Sequence, residues 1–191
     1  QDGVVLLHSV VGCNFGSMSL HVAQDMRDIR QTCTVISDSD VVFSGDASLE
    51  RAVRSALELF QPSVLFVVSG CVSEMIGDDI PAVLARIPHE APLLHVEAAG
   101  FRGDAARGLE AGWLALLPLM KPPVPRPYPR PYPRSDPRPL VNLIGLGMDD
   151  PHAADDVEAL RAMLAPQAAL GAVLSRCTLE EVRRAPYADV N

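Results

Sequence analysis

The sequence predicts an α/β protein: a Rossmann-like three-layer domain with a mostly parallel sheet, followed by the start of a second similar domain. Three observations predict this class. Apolar runs of strand length alternate with amphipathic segments of helix length. The strand candidates are apolar at consecutive positions, which is typical of parallel strands buried on both faces. Because strands and helices alternate, the crossovers between parallel strands are expected to be right-handed.

The clearest strand candidate is the apolar run at residues 64–68, between Pro62 and Gly70. The other strands of the first domain are predicted at residues 4–8, 32–36 and 93–97. The second domain is expected to open with strands at residues 140–145 and 171–174.

The helix at residues 46–60 has the strongest pattern, because its apolar residues recur at intervals of three and four. Asp46 or Ser48 is expected to cap it, and Glu50 with Arg54 forms a favourable pair one turn apart. Further helices are predicted with their first residues near 14, 71, 80, 104, 155 and 178. In the segment 104–120, Leu109, Trp113, Leu116 and Leu117 define the apolar side. In the last helix, Thr178 and Glu181 have the spacing of a capping box.

A proline-rich segment separates the two predicted domains. Residues 121–139 contain nine prolines, a density that neither a helix nor an inner strand tolerates. We expect a polyproline-II linker here, with a docking motif for a proline-binding module as the alternative. The first domain is therefore assigned to residues 1–120, and residues 140–191 are assigned to the truncated beginning of the second.

Composition excludes several classes of protein. A formal net charge of −8 argues against a nucleic-acid surface. No apolar run reaches the ~18 residues of a membrane span, and the apolar start lacks the basic region of a signal peptide. The four cysteines are widely spaced, unlike a secreted disulfide framework, so a reducing cytoplasm is expected. Because the chain starts with Gln1 almost directly before a strand, we interpret it as a piece of a longer polypeptide.

Two cysteines occupy equivalent positions in the pattern. Cys13 and Cys71 each follow a glycine just past a predicted strand, where open α/β sheets bind ligands. If the two strands are neighbours, both thiols face one crevice; the alternative is that each cysteine is a small buried hydrophobe. Cys33 and Cys177 are interpreted as structural. The sequence has no CxxC, Walker A or GxSxG motif, and no GxGxxG after a strand, so zinc-ribbon, nucleotide-binding and hydrolase functions lack their motifs.

Five segments carry a resemblance to a known family. They are HSVVGC at 8–13, VFSG at 42–45, CVSEMIGDD at 71–79, GFRG at 100–103 and VNLIG at 141–145. In this order they resemble the nitrogenase component 1 family. That family includes molybdenum–iron protein subunits, cofactor-assembly scaffolds, the dark-operative protochlorophyllide and chlorophyllide reductases, and reductases acting on methylthio-alkanes.

The resemblance implies a metal site. Cys13 and Cys71 would ligate an iron–sulfur cluster, P-cluster-like or of the 4Fe–4S type, shared with a partner subunit. His8 and the backbone at Gly12 and Gly70 would form its second shell. The alternatives are a satisfied core histidine for His8 and tight turns for the two glycines. The family's third cysteine lies some two dozen residues before the first Gly-Cys pair, so another group must serve here or the fragment lacks that ligand.

The resemblance also implies an activity and partners. The chain would be a subunit of a nitrogenase-like reductase, an oxidoreductase that is not active alone. It would pair with a homologous sister subunit in a heterodimer or heterotetramer, and receive electrons from an ATP-dependent iron protein. One alternative is a non-catalytic cofactor-assembly scaffold of the same family. Another is a metal-free Rossmann-like binding module, which predicts that the thiols of Cys13 and Cys71 lie far apart.

Overall fold

The computed structural model describes residues 2–23, 29–120, 136–145, 152–174 and 178–188. The chain divides into two compact units, Asp2–Leu117 and Pro118–Asn191, each with its own parallel sheet. Most of the predicted linker, residues 121–135, lies outside the described residues. No helix in the described part of the chain is long and apolar enough to cross a membrane.

The first unit has a four-stranded sheet. Its strands are β1 (Gly3–His8), β2 (Gln31–Cys33), β3 (Val64–Ser69) and β4 (Leu93–Glu97). Their order is β2-β1-β3-β4, and every neighbouring pair is parallel. The predicted α/β class with a mostly parallel sheet is therefore confirmed. Because β1 and β3 are neighbours, the two Gly-Cys pairs follow adjacent strands.

The described residues of the first unit form six helices. They are α1 (Val11–Ala23), α2 (Asp38–Phe43), α3 (Asp46–Phe60), α4 (Cys71–Ile76), α5 (Ile80–Ala85) and α6 (Ala105–Leu116). A short 3₁₀ turn at Leu117–Leu119 follows α6. Pro81 lies in the first turn of α5, where a backbone N–H would have no acceptor within the helix.

One face of the sheet is closed by the chain's own helices. Helices α3 and α5 bury the side chains of the two central strands on this face, which we call the closed face. Its fully buried residues are Val4 and Leu6 on β1, Leu65 and Val67 on β3, Leu49 and Val53 on α3, and Ile80 and Val83 on α5. Each such side chain contributes about 1.5–3 kcal/mol when it leaves water, so this face holds the core of the unit.

The opposite face is only partly covered. Successive residues of a strand point to opposite faces, so Val5, Leu7, Phe66 and Val68 lie opposite the core, and each is only half-buried. We call this the open face. The strand pattern predicted burial on both faces, but on the two central strands the described residues bury only the closed face completely.

Three local predictions for the first unit need correction. The strand predicted at 32–36 ends at Cys33, because Val35 adopts a positive φ of 56° that interrupts the pleat. Gly45, not Asp46 or Ser48, is the N-cap of α3, and the Ser44 hydroxyl accepts the Asp46 N–H. The apolar side predicted for α6 packs incompletely, since none of its residues is buried.

The second unit contains β5 (Leu140–Leu143) and β6 (Ala169–Val173), paired in parallel, with helices α7 (Ala153–Leu164) and α8 (Leu179–Arg184). A 3₁₀ turn at Ala185–Tyr187 follows α8. Asn142 is buried at its centre: its amide oxygen accepts the Ala172 N–H at 3.0 Å, and its amide nitrogen donates to the Ala185 carbonyl at 2.8 Å. The predicted capping box between Thr178 and Glu181 is present.

Candidate functional site

A cleft of about 310 Å³ lies on the open face, at the carboxyl ends of β1 and β3. Val5, Leu7 and Val68 form its apolar floor, and Cys13 and Cys71 both line it. The shared crevice that the sequence predicted for the two thiols is therefore present.

Cys71 is held in place by its surroundings. It is the first residue of α4, directly after Gly70, and it is partly buried. The backbone N–H of Gly100 donates a hydrogen bond to the Cys71 sulfur, with an N–S distance of 3.1 Å. Gly100 lies in the loop after β4, so the end of a third strand contributes to the cleft. The Cys71 sulfur thus has a backbone donor aimed at it.

Gly70 is required where Cys71 enters the helix. A Cβ at this position would lie 2.4 Å from the Ser9 hydroxyl oxygen and 2.7 Å from the Ser9 Cβ. The chain after β3 therefore passes close to the chain after β1, as only glycine permits. Ser73 fastens the same junction, since its hydroxyl accepts the Gly70 N–H and donates to the His8 carbonyl at 2.8 Å.

Cys13 differs from Cys71 in its setting. It lies in the first turn of α1, which begins at Val11, so the predicted Gly-Cys loop is already helical. Its side chain is exposed, and a Cβ on the preceding Gly12 would meet nothing within 4 Å. Because Gly12 lies within α1 and no neighbouring atom crowds it, the alternative of a tight turn at this glycine is not supported.

A chain of side-chain hydrogen bonds holds α1 over the cleft. The Ser17 hydroxyl donates to the Gln31 side-chain oxygen at 3.1 Å, and the Gln31 amide nitrogen donates to the Asn14 oxygen at 2.9 Å. Ser17 and Gln31 also line the cleft. These contacts join the helix that carries Cys13 to the edge strand β2.

His8 lies on the closed face and does not line the cleft. It is fully buried; its Nε2 donates to Asp78 at 2.9 Å, and the Thr34 hydroxyl donates to its Nδ1 at 3.0 Å. A neutral ring with the proton on Nε2 satisfies both contacts. Burial lowers the pKa of His8, although the hydrogen bond and charge of Asp78 and the charges of Asp46 and Asp40 oppose this shift. The second-shell assignment of the His8 side chain is therefore corrected to that of a satisfied core histidine.

Asp78 joins several elements beneath the carboxyl ends of the strands. Besides His8, it accepts the Gly45 N–H at 2.8 Å and the Ser44 hydroxyl at 3.3 Å. A Cβ on Gly45 would lie 2.3 Å from an Asp78 oxygen, so the close approach depends on glycine. Asp78 therefore acts in packing.

Glu74 is a functional candidate whose contacts the sequence did not reveal. Its carboxylate accepts the Ser69 hydroxyl at 2.5 Å, the Ala99 N–H at 3.3 Å and the Arg102 guanidinium. It therefore fastens the loop after β4 to α4, next to Cys71. One signal was available: the GFRG segment follows β4, and the end of a neighbouring parallel strand lies at the same edge of the sheet.

The other cysteines lie apart from the cleft. Cys33, on β2, lies in a second cleft between β2 and α3, where its thiol donates to the Ser9 carbonyl at 3.4 Å. These contacts agree with its structural interpretation. Cys177 lies outside the described residues.

The donor set of the cleft can be tested against a metal group. Within the described residues, no group of three or more His, Cys, Asp or Glu side chains could hold a metal ion. The cleft instead offers two soft sulfur donors, a backbone N–H aimed at one of them and an apolar floor. Soft thiolates suit iron–sulfur clusters, and N–H donors around the sulfurs tune such clusters. The residues therefore fit part of a cluster site, with two cysteine ligands present and the remaining ligands to be supplied by other groups.

Comparison with known proteins places the chain in a family. The family model described as nitrogenase component 1 type oxidoreductase matches residues 1–191. The chain therefore belongs to the nitrogenase component 1 family, which confirms the resemblance seen in the sequence motifs.

Individual relatives differ in role. The chain is 31% identical over 121 residues to the nitrogenase iron-molybdenum cofactor biosynthesis protein NifE of Rippkaea orientalis, covering 61% of this chain and 26% of that protein. It is 34% identical over 113 residues to the nitrogenase molybdenum-iron protein alpha chain of Frankia alni, covering 54% of this chain and 24% of that protein. The chain thus spans about a quarter of the length of these relatives.

A solved structure supports the fold. The structure described as nitrogenase Cp1 at pH 5 matches with a TM-score of 0.75 at 22% identity, covering 100% of this chain and 39% of that one. At this identity the match concerns the fold, and it agrees with the parallel sheet of the first unit.

Proposed function

We propose that this chain is part of a nitrogenase-like reductase subunit and that Cys13 and Cys71 bind an iron–sulfur cluster. The observation that carries the proposal is the shared cleft: two cysteines 58 positions apart in sequence line one cavity at the ends of adjacent strands. A cluster of the P-cluster-like or 4Fe–4S type would accept and pass on single electrons when bound.

The chain's own residues prepare this site. The thiolates of Cys13 and Cys71 would bind iron, and the Gly100 N–H would donate to the Cys71 sulfur. Val5, Leu7 and Val68 form an apolar floor that would keep water from this side of a bound cluster, which would lower the local dielectric and strengthen these interactions. The backbone of Gly70 brings the two strand ends close together.

The site also argues for partners. Two thiols do not complete the coordination of a cluster, whose irons are usually held by four cysteines. A homologous sister subunit would supply the remaining ligands in a heterodimer or heterotetramer. We further propose that an ATP-dependent iron protein delivers the electrons and that the complex works in the reducing cytoplasm.

Cysteine replacement tests the proposal. The full-length subunit would be co-expressed with its sister subunit and purified without oxygen, and its iron, sulfide and EPR spectrum measured. Cys13→Ala and Cys71→Ala should each lose iron or change the EPR signal, whereas Cys33→Ala should keep the wild-type content. Absence of iron from an intact wild-type complex would reject the proposal, as would iron that survives unchanged in both variants.

A cofactor-assembly scaffold is the second candidate, favoured by the similarity to NifE. A scaffold of this kind would keep the cysteine pair and hold a maturing metallocofactor without reducing a substrate. Transfer separates the two functions: a scaffold passes a metallocofactor to an apo-reductase and shows no reduction with an iron protein and ATP. A reductase subunit gives the opposite pair of results.

A further inference from the structure

We propose that Glu74 and Arg102 are positioning residues that hold the loop at residues 98–103 so that the Gly100 amide donates to the Cys71 sulfur. We call this segment the Gly100 loop. The inference rests on the proposed function only for its redox consequence, since the arrangement itself belongs to the chain without a cluster.

The loop is fastened from its two sides by one carboxylate. Glu74 Oε1 accepts the Ala99 N–H at 3.3 Å, directly before Gly100, and Glu74 Oε2 accepts from the Arg102 guanidinium, two residues after it. The Ser69 hydroxyl, at the end of β3, donates to Glu74 Oε1 at 2.5 Å. Gly100 therefore lies between two anchored positions, one residue after Ala99 and two residues before Arg102, and cannot move far from either.

The carboxylate has few alternatives to these partners. The Glu74 side chain is only 8% exposed, and a buried carboxylate is costly unless hydrogen bonds compensate it. Burial by itself would raise the pKa of Glu74, but the hydrogen bonds from Ser69, Arg102 and the Ala99 N–H hold it below its usual value. Because these three donors come from β3 and from the Gly100 loop, satisfying the charge also fixes the loop.

Arg102 offers an internal comparison. Its guanidinium also pairs with Glu97, at 3.0 Å, and that carboxylate is 55% exposed. Glu97 and Glu74 therefore have the same partner, Arg102, and the same negative charge. Of these two described carboxylates, only Glu74 accepts a hydrogen bond from the backbone of the loop. Removing either carboxylate changes the net charge equally, and only the removal of Glu74 should release the Gly100 amide.

The donor has a predictable effect on a bound cluster. An N–H directed at a ligand sulfur stabilises its negative charge, and this favours the more reduced state of the cluster. Loss of the donor should therefore shift the reduction potential to more negative values. Loss of the Glu74 charge alone would shift the potential in the opposite direction, so the sign separates positioning from a simple charge effect.

Hydrogen exchange and the potential together test the proposal. The full-length subunit in its complex would carry Glu74→Ala, Arg102→Lys or the matched control Glu97→Ala, with peptides covering residues 98–103 followed by mass spectrometry. Glu74→Ala and Arg102→Lys should accelerate exchange in the Gly100 loop by about tenfold, while Glu97→Ala should leave it unchanged. Arg102→Lys keeps the charge at an exposed position, so it remains informative if Glu74→Ala fails to fold.

The loaded complex provides the second readout. Arg102→Lys should make the cluster potential more negative, and Glu97→Ala should not. Equal exchange rates in the wild type, Glu74→Ala and Arg102→Lys would overturn the proposal. Acceleration of the same size in Glu97→Ala would also overturn it. If the wild-type complex binds no iron, the proposed function fails, but the exchange comparison still decides whether Glu74 and Arg102 position the loop.

Discussion

The two faces of the four-stranded sheet show how one strand serves two purposes. On β1, Leu6 points to the closed face and is fully buried, whereas Leu7 points to the open face and lines the cleft. On β3, Val67 and Val68 divide in the same way. The closed face is completed by the chain's own helices, and it holds a fully satisfied His8–Asp78 pair. The open face is only partly covered by the described residues and carries Cys13 and Cys71.

This difference separates stability from the site. Residues of the closed face are expected to control the free energy of unfolding, because they lose the most apolar area when the chain unfolds. Residues of the open face are expected to control what binds at the cleft. Substitutions of neighbouring residues can therefore break one property while sparing the other.

The largest effect is expected from Leu6→Ala compared with Leu7→Ala. Leu6→Ala leaves a cavity in a closed core and should lower the free energy of unfolding by about 3–4 kcal/mol. Leu7→Ala removes a partly exposed side chain and should cost about 1 kcal/mol. Urea denaturation of the purified full-length protein measures both values. Equal losses at the two positions would show that the open face is as fully packed as the closed face.

The next effect concerns the buried pair. Asp78→Ala leaves the His8 Nε2 donor and the Gly45 N–H without an acceptor, which should cost about 3 kcal/mol. The adjacent Asp79 is the control, because it caps α5 through the Ala82 N–H, and Asp79→Ala should cost about 1 kcal/mol. The same denaturation experiment compares them. A loss at Asp78 no larger than that at Asp79 would contradict the role assigned to the pair.

The two Gly-Cys pairs should respond differently to alanine. Gly70→Ala forces a Cβ against Ser9 and should destabilise the protein by about 2 kcal/mol. Gly12→Ala adds a Cβ into open space in the first helical turn and should stabilise it slightly, by about 0.5 kcal/mol. Thermal unfolding of the two variants measures the contrast. A gain in stability for Gly70→Ala would show that the strand ends are not closely packed there.

The smallest expected effect is a pH dependence of the free energy of unfolding, caused by His8 on the closed face. Burial lowers the pKa of His8, so the folded protein holds fewer protons than the unfolded chain just below pH 6.5. Stability contributed by neutral His8 is therefore present above pH 6.5 and lost as the pH falls towards the folded pKa, with a slope of at most about 1.4 kcal/mol per pH unit.

Measurement of unfolding free energies from pH 7 to pH 5 checks this. His8→Gln should show a shallower decline than the wild type, while a residual slope remains because burial also lowers the pKa of His95. An unchanged slope in His8→Gln would show that His8 does not carry the effect.

Much of this architecture follows from local patterns. The strand at β4 and the capping box at Thr178 agree with the sequence to the residue, because apolar runs and capping chemistry depend on near neighbours. The convergence of Cys13 and Cys71 followed from one further rule, that ligands collect at the carboxyl ends of adjacent parallel strands.

Other features depend on contacts between distant segments. His8 and Asp78 are 70 positions apart, and no periodicity links them. The face to which His8 points depends on which helices cover the sheet, so its proximity to Cys13 in sequence was misleading. Likewise, the sequence shows Glu74 only as a helix residue, and its role becomes visible only from its contacts with Arg102 and Ala99 in the structure. The positive φ of Val35 has no signal in its residue type.

The most direct test is an iron anomalous difference map from anaerobic crystals of the full-length complex. The account predicts anomalous density in the open-face cleft, within bonding distance of both the Cys13 and Cys71 sulfurs. It also predicts no such density at Cys33. Density bound elsewhere, with both cleft sulfurs free, would contradict the assignment of the cluster to the open face.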